Sequence, residues 1–175
     1  PIDGLYEDLN RDGLVNSADR YRYKNPAPEM FYGFSTNISY KKWSAGFVLR
    51  ASTGNYVYNN INAVNGNRNA VFGNGFLNNA YNDVLNTNFS GTKSGFSLSD
   101  YFIENASFLR MDNLTVGYDM GSILKGKAHV RLNANVQNVF VITKYKGLDP
   151  EIGNGVDNNF YPRPRTFVIG ANFDF

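Results

Sequence analysis

The sequence predicts an all-β chain: five long antiparallel strands of the kind that form the wall of a transmembrane barrel. Three observations lead there. Five segments alternate apolar and polar residues with period two, the mark of a strand with two unlike faces. Each runs to about ten residues or more, the length a tilted strand needs to cross a bilayer. The connections alternate short and long, as in transmembrane barrels, where tight turns close one end and large loops the other.

The first strand is 30-MFYGFSTNISY-40, with Met30, Tyr32, Phe34, Ile38 and Tyr40 on one face and Gly33, Ser35, Asn37 and Ser39 on the other. Only 41-KK-42 separates it from 43-WSAGFVLRAS-52, which predicts a tight hairpin. In the second strand Trp43, Ala45, Phe47, Leu49 and Ala51 oppose Ser44, Gly46, Arg50 and Ser52. The third, 107-SFLRMDNLTVGYDM-120, places Leu114, Val116, Tyr118 and Met120 on the face of Phe108. Arg110 and Asp112 interrupt that face, and Leu109 and Met111 sit opposite, so a bulge or a change of surroundings is expected there. A short turn, 121-GSILKGK-127, leads to 128-AHVRLNANVQNVFVI-142. This fourth strand has the cleanest alternation: Ala128, Val130, Leu132, Ala134 and Val136 against His129, Arg131, Asn133, Asn135 and Gln137. The fifth, 166-TFVIGANFDF-175, sets Phe167, Ile169, Ala171, Phe173 and Phe175 against Thr166, Gly170, Asn172 and Asp174. The long connections are 53-106, expected as an outer loop, and 143-165.

Alternation alone fits two architectures. In a soluble sandwich the apolar face is the core; in a barrel it meets lipid and the polar face lines the lumen. Strand length, loop asymmetry and the aromatic ends Tyr40, Trp43, Tyr118 and Phe175, which suit interfacial girdles, favour the barrel. Five strands cannot close a lipid-facing barrel, because an open edge in hydrocarbon leaves backbone groups unpaired. The chain is therefore expected to be part of something longer, with residues 1-6 as the tail of a sixth strand. The opening PIDGLYEDLN has neither the basic start nor the apolar core of a signal peptide.

Composition narrows the function. The net charge of +2 does not point to nucleic acid, and with no cysteine there is neither a disulfide framework nor a thiolate metal site. No Ser/His/Asp constellation, phosphate-binding loop or Gly-rich dinucleotide turn is found, and an enzyme is not expected. His129 stands alone on a polar face and is not a ligand candidate. The 162-PRP-164 run, flanked by Arg165, reads as a rigid lead-in to the last strand.

One stretch carries ligand chemistry. The run 8-DLNRDGLVNSAD-19 fits the calcium-loop pattern D-x-[DN]-x-[DN]-G-x5-E except at its last place. Side-chain oxygens would come from Asp8, Asn10 and Asp12, the carbonyl from Leu14, the ninth-place contact from Asn16, and Asp19 would replace the usual bidentate Glu. Asp is one methylene shorter, so a weaker or more hydrated structural Ca2+ site is expected. The competing reading is an Asp/Asn/Gly turn held by its own hydrogen bonds. No organic cofactor is expected.

Two further sets are candidates. The 54-100 segment is rich in Asn, Gly and aromatics, and Tyr56, Tyr58, Phe72, Phe76 and Tyr81 could stack on a sugar or peptide ligand; the alternative is a loop packed on itself or on a partner. On the last strand, Gly170, Phe173 and Phe175 resemble the barrel-assembly signal of outer-membrane proteins, although Val168 stands where a polar residue is usual.

The runs 138-NVFVITKYKGLDPE-151, 161-YPRPRTF-167, 103-IENASFLRMDNLTVGY-118 and 7-EDLNRDGLVNSADR-20 leading to 26-PAPEMFYGF-34 together resemble the SusC/RagA family of Bacteroidetes. These are TonB-dependent transporters of the bacterial outer membrane. The resemblance implies the last five strands of a barrel of about 22 strands with a plugged lumen. It also implies import of oligosaccharides or peptides, energised by TonB through the parent's N-terminal part. The implied partners are the rest of the transporter, a SusD-like surface lipoprotein, the barrel-assembly machinery and outer-membrane lipid. The rival from another class is a soluble calcium-bound β-sandwich such as a carbohydrate-binding module.

Overall fold

The computed structural model describes residues 6–66, 71, 75–77, 79–87, 99–158 and 161–175. It resolves into two compact units. The sheet unit comprises Pro28–Thr53, Ser107–Lys144 and Pro162–Phe175; the loop unit comprises Pro1–Ala27, Gly54–Ala106 and Tyr145–Tyr161.

The sheet unit is a five-stranded antiparallel meander. Its strands are β1 (Met30–Tyr40), β2 (Trp43–Thr53), β5 (Phe108–Ile123), β6 (Ala128–Thr143) and β7 (Thr166–Asp174), in the order β1-β2-β5-β6-β7. Each strand pairs with the next long strand in the chain, as hairpin-linked strands of a barrel wall do. The five predicted segments are all present. β5 and β6 reach 16 residues each, longer than the sequence pattern indicated, because β5 pairs on through Ile123 and the turn shrinks to Leu124–Lys127. Lys41 takes φ 54° to close the β1-β2 hairpin in two residues.

Register keeps like faces together. Tyr40 lies beside Trp43, which lies beside Tyr118, then Leu132 and Ala171. The Trp43 and Tyr118 rings are 4.6 Å apart, a contact worth about 0.5–1.5 kcal/mol beyond area burial. The expected interruption in β5 is a bulge. Against β2, Val48 pairs with Asn113 and Leu49 with Met111, which leaves Asp112 over. Met111 and Leu109 thereby join the face of Leu114, Val116 and Tyr118, while Phe108 and Arg110 turn to the opposite one. Strand β6 absorbs the offset at Asn138, which sits at φ 51°.

The loop unit has its own short elements: β3 (Tyr56–Tyr58), paired with β4 (Ile103–Asn105), α1 (Asn60–Asn65) and a single helical turn α2 (Asp83–Asn86). The described parts of the 53-106 stretch are thus local pieces, and β3 and β4 pair with each other, not with the main sheet. Two small apolar clusters hold it. Val57, Ala106 and Tyr145 pack with Ile152, and Ala63 and Phe102 pack with Tyr58 and Tyr101. No helix among the described residues is long and apolar enough to cross a membrane, which says nothing of strands.

Candidate functional site

The two faces of the sheet differ in chemistry. The apolar face carries Phe34, Ile38, Tyr40, Trp43, Phe167 and Ile169 in exposed positions, Ile169 at 87%. A soluble sheet that kept such residues in water would carry a large apolar patch, which monomeric proteins rarely do. From Tyr32 to Tyr40 the apolar face of β1 extends eight steps, about 26 Å along the strand. Aromatic residues stand at both ends of that stretch, matching a lipid-facing band between interfacial girdles.

The opposite face is polar and interlocked. Asn135 Nδ2 donates to Thr115 Oγ1 at 2.8 Å, and Thr115 Oγ1 donates to Asn113 Oδ1 at 3.0 Å. The small residues in this layer are there for space. A Cβ on Gly170 would fall 2.4 Å from Asn133 Oδ1, and one on Gly46 would fall 2.2 Å from Asn37 Oδ1. Amide side chains thus lie flat over glycines of the neighbouring strand. At the bulge, Arg50 clamps the Asp112 carboxylate with Nε and, at 3.0 Å, with Nη2. Arg110, 1% exposed, stacks on Phe108 and donates to Asn138 Oδ1 at 2.8 Å. Asn138 Nδ2 in turn donates to the Arg163 carbonyl at 2.8 Å, and Arg165 Nε to the Asn138 carbonyl at 3.4 Å. The Arg163–Arg165 lead-in to β7 is thereby tied to the neighbouring strand β6. His129 Nε2 lies 2.8 Å from Asp119 Oδ1 on the polar face.

The 8-19 loop brings its predicted residues into one turn. Asp8 accepts from the backbone N–H of Asp12 (3.1 Å) and of Gly13 (2.7 Å). Asp12 Oδ1 accepts from Leu14 N (2.8 Å), and Asn10 Oδ1 from Asp12 N (2.9 Å). Asp19 closes the ring: it accepts from Asn16 N at 2.8 Å and from Leu9 N at 3.0 Å. The Asn16 N–H and the other backbone donors hold its carboxyl below the ordinary value of 3.8. Gly13, at φ 84°, permits the reversal. The donor set is all oxygen, which suits a hard cation. Among the described residues, however, no three Asp, Glu, His or Cys side chains converge as a metal cluster. Asp8, Asp12 and Asp19 here serve the loop's own N–H groups.

The aromatic candidates separate. Tyr58 is half-buried with its ring edge-on to Phe102 (6.2 Å), and Tyr56 has Lys24 Nζ 4.8 Å from its ring centre. Tyr81 is half-buried, and burial, then the charges of Asp157 and Glu104, push its hydroxyl pKa up. Phe76 is exposed, and Phe72 lies outside the described residues. Among the described asparagines of this segment, Asn59 and Asn62 bond within it. Asn59 caps α1 by accepting from Asn62 N and donates to Glu104, and Asn62 Nδ2 donates to Asp83 at 2.6 Å. Gly170 pairs with Asn133 and Phe173 with Val130, while Phe175 lies beyond β7.

No family model matches the chain. The chain is 41% identical, over its whole length, to TonB-dependent receptor SusC of Bacteroides thetaiotaomicron, of which it covers 18%. It is 29% identical over 98% of its length to a TonB-dependent receptor of Formosa agariphila, covering 19% of that protein. Among solved structures it resembles a chain of the RagAB peptide transporter, with TM-score 0.72 and 26% identity over 93% of this chain and 19% of that one. The RagAB importer in its 'closed-closed' state gives TM-score 0.65 and 26% identity over 94% of this chain. The chain thus spans about a fifth of the length of its relatives. Its five-stranded sheet matches a section of their barrels. The chain belongs to the SusC/RagA family of TonB-dependent receptors.

Proposed function

We propose that this chain is wall and outer loops of an outer-membrane importer that takes up oligosaccharides or peptides with energy delivered through TonB. One observation carries the reading: a five-stranded meander that exposes Phe34, Ile38, Tyr40, Trp43, Phe167 and Ile169 on one face, while the other carries hydrogen-bonded amides with a few apolar residues such as Phe31 and Val168 among them. That inversion suits lipid outside and a polar lumen inside. In a soluble sandwich that apolar face would be covered. In this reading the parent docks a SusD-like surface lipoprotein, meets TonB through its N-terminal part, and presents Gly170, Phe173 and Phe175 to the barrel-assembly machinery. Similarity to SusC and to the RagAB chains supports it.

The 8-19 loop is proposed as a structural calcium site, with Asp8, Asn10, Asp12, the Leu14 carbonyl, Asn16 and Asp19 as its oxygens. The support is the order of oxygen donors and the turn at Gly13. Calorimetric titration of the intact transporter with calcium should give a saturable heat that Asp12→Ala removes; no heat would leave a metal-free turn. The import reading is tested by uptake. Cells lacking the parent gene, or lacking TonB, should fail to accumulate labelled oligosaccharide or peptide mixtures that the wild type takes up. Unchanged accumulation of both would contradict it.

A further inference from the structure

We propose that the tight-turn end of the sheet binds anionic phospholipid headgroups, held by Lys41, Lys42, Lys125 and Lys127. The proposal rests on the importer reading and adds a lipid class and a place. Two turns supply the lysines: Lys41 and Lys42 join β1 to β2, and Lys125 and Lys127 lie between β5 and β6. The turns are neighbours in space. Asp119 N donates to the Lys42 carbonyl at 2.8 Å, and a Cβ on Gly121 would fall 4.0 Å from Lys42 Nζ. All four lysines are exposed, and among the described residues none of them has an ion-pair partner.

Charge and position select the ligand. The cations at this end are the four lysines and Arg131; the carboxylates are Asp119, Asp174 and, counted with them, a main-chain carboxylate at Phe175, five against three. Asp119 and Asp174 lie on the polar face, where His129 Nε2 and Arg131 Nη2 stand 2.8 Å and 3.8 Å from them. The turn lysines are left as the unmatched charge. Lys41 Nζ lies 5.3 Å from the centre of the Tyr40 ring, and Tyr40 belongs to the apolar face. A lysine stem laid along that ring sets its ammonium at the depth where headgroups begin. Tyr40, Trp43 and Phe173 stand exposed beside the turns, so acyl chain and headgroup meet one continuous surface. A soluble anion would find the charges alone. An anionic headgroup gains from each lysine near the membrane surface, and a zwitterionic one has no net charge to gain with.

The intact parent transporter is reconstituted in phosphatidylcholine vesicles with a fluorophore on a cysteine at Leu132 or at Ile142. Leu132 pairs with Tyr118 toward the turn end of the sheet, and Ile142 with Leu109 toward the other end. Brominated phosphatidylglycerol or brominated phosphatidylcholine is added as a minor component, and quenching is compared at equal content. At Leu132 the anionic lipid should quench about threefold more strongly. Lys41→Asn with Lys42→Gln, Lys125→Gln and Lys127→Gln should remove that preference and leave quenching at Ile142 unchanged; asparagine tolerates the φ of 54° at position 41. High salt should remove it in the unsubstituted protein. Equal quenching by the two lipids at Leu132, or a preference that survives the four substitutions or the salt, overturns the proposal. A variant that loses import but keeps the lipid preference assigns the lysines to an acidic protein partner and overturns it too. Equal quenching leaves the lipid-facing wall standing, whereas a Leu132 label quenched by neither lipid overturns the wall itself.

Discussion

Asn138 shows how one residue fixes a strand in place. It occupies φ 51°, accepts from the buried Arg110 and donates to the Arg163 carbonyl. Asn138→Ala removes an acceptor from a buried guanidinium and puts a Cβ residue without a local side-chain bond in the left-handed region. Together these should cost about 2–4 kcal/mol in the folded parent. Asn138→Gly should cost less, because glycine accepts the backbone. Urea midpoints in detergent would order the two. Asp19 gives a pH prediction. Its folded-state pKa is lowered, so its contribution is present above the ordinary value of 3.8 and is lost as pH falls through the lower folded value. Amide protection at Leu9, Asn10 and Asn16, corrected for intrinsic exchange, should therefore hold at neutral pH and fall below about pH 4. Both residues drew notice in the sequence unequally. Asp19 was legible from spacing within its loop, whereas Asn138 read as one more polar residue, because its partners lie 28 and 25 residues away.

At the scale of elements, the strands were legible and the loop unit largely was not. Period two survives in sequence because each strand separates two environments, and even the bulge at Asp112 was visible as a break in alternation. The loop unit is built differently. Its order comes from Asn caps, from the Tyr145–Asp157 hydrogen bond at 2.6 Å, and from contacts tens of residues apart, which leave no period. The tyrosines that looked like ligand platforms are in part packing residues, and the hydrogen-bonded Tyr21 and Asp100 are separated by 79 positions. Gly155 tests that packing. It sits at φ 75°, and a Cβ there would fall 2.5 Å from Pro26 Cβ, a ring that cannot swing away. Gly155→Ala should destabilise the loop unit by about 2 kcal/mol or more, seen as faster protease cleavage within 54–106. Tyr145 adds a high-pH limit. Burial, then the Asp157 bond, raises its pKa above the ordinary 10.0. Its contribution is thus complete below that value and declines as pH rises past it, so loop-unit protection should drop in strongly alkaline buffer.

At the scale of the whole molecule, one sheet has to satisfy lipid and water at once. Its backbone groups are paired strand to strand, its apolar side chains face outward, and its amides interlock over glycines on the other side. An arginine on the apolar face should therefore cost about 2–4 kcal/mol near the bilayer midplane. Ala134→Arg is expected to lower the parent's outer-membrane abundance, while Gln137→Arg, on the polar face, should leave it near wild type. The most direct measurement is spin-label accessibility. The chain has no cysteine, so Ile38, Leu132 and Ile169, and against them Asn37, Asn133 and Asn172, can each be replaced by a labelled cysteine in the bilayer-embedded parent. Labels at the first three should collide with dissolved oxygen and be shielded from a water-soluble nickel chelate, and those at the three asparagines should show lower oxygen accessibility. Nickel-accessible labels at Ile38, Leu132 and Ile169 would contradict a lipid-facing wall.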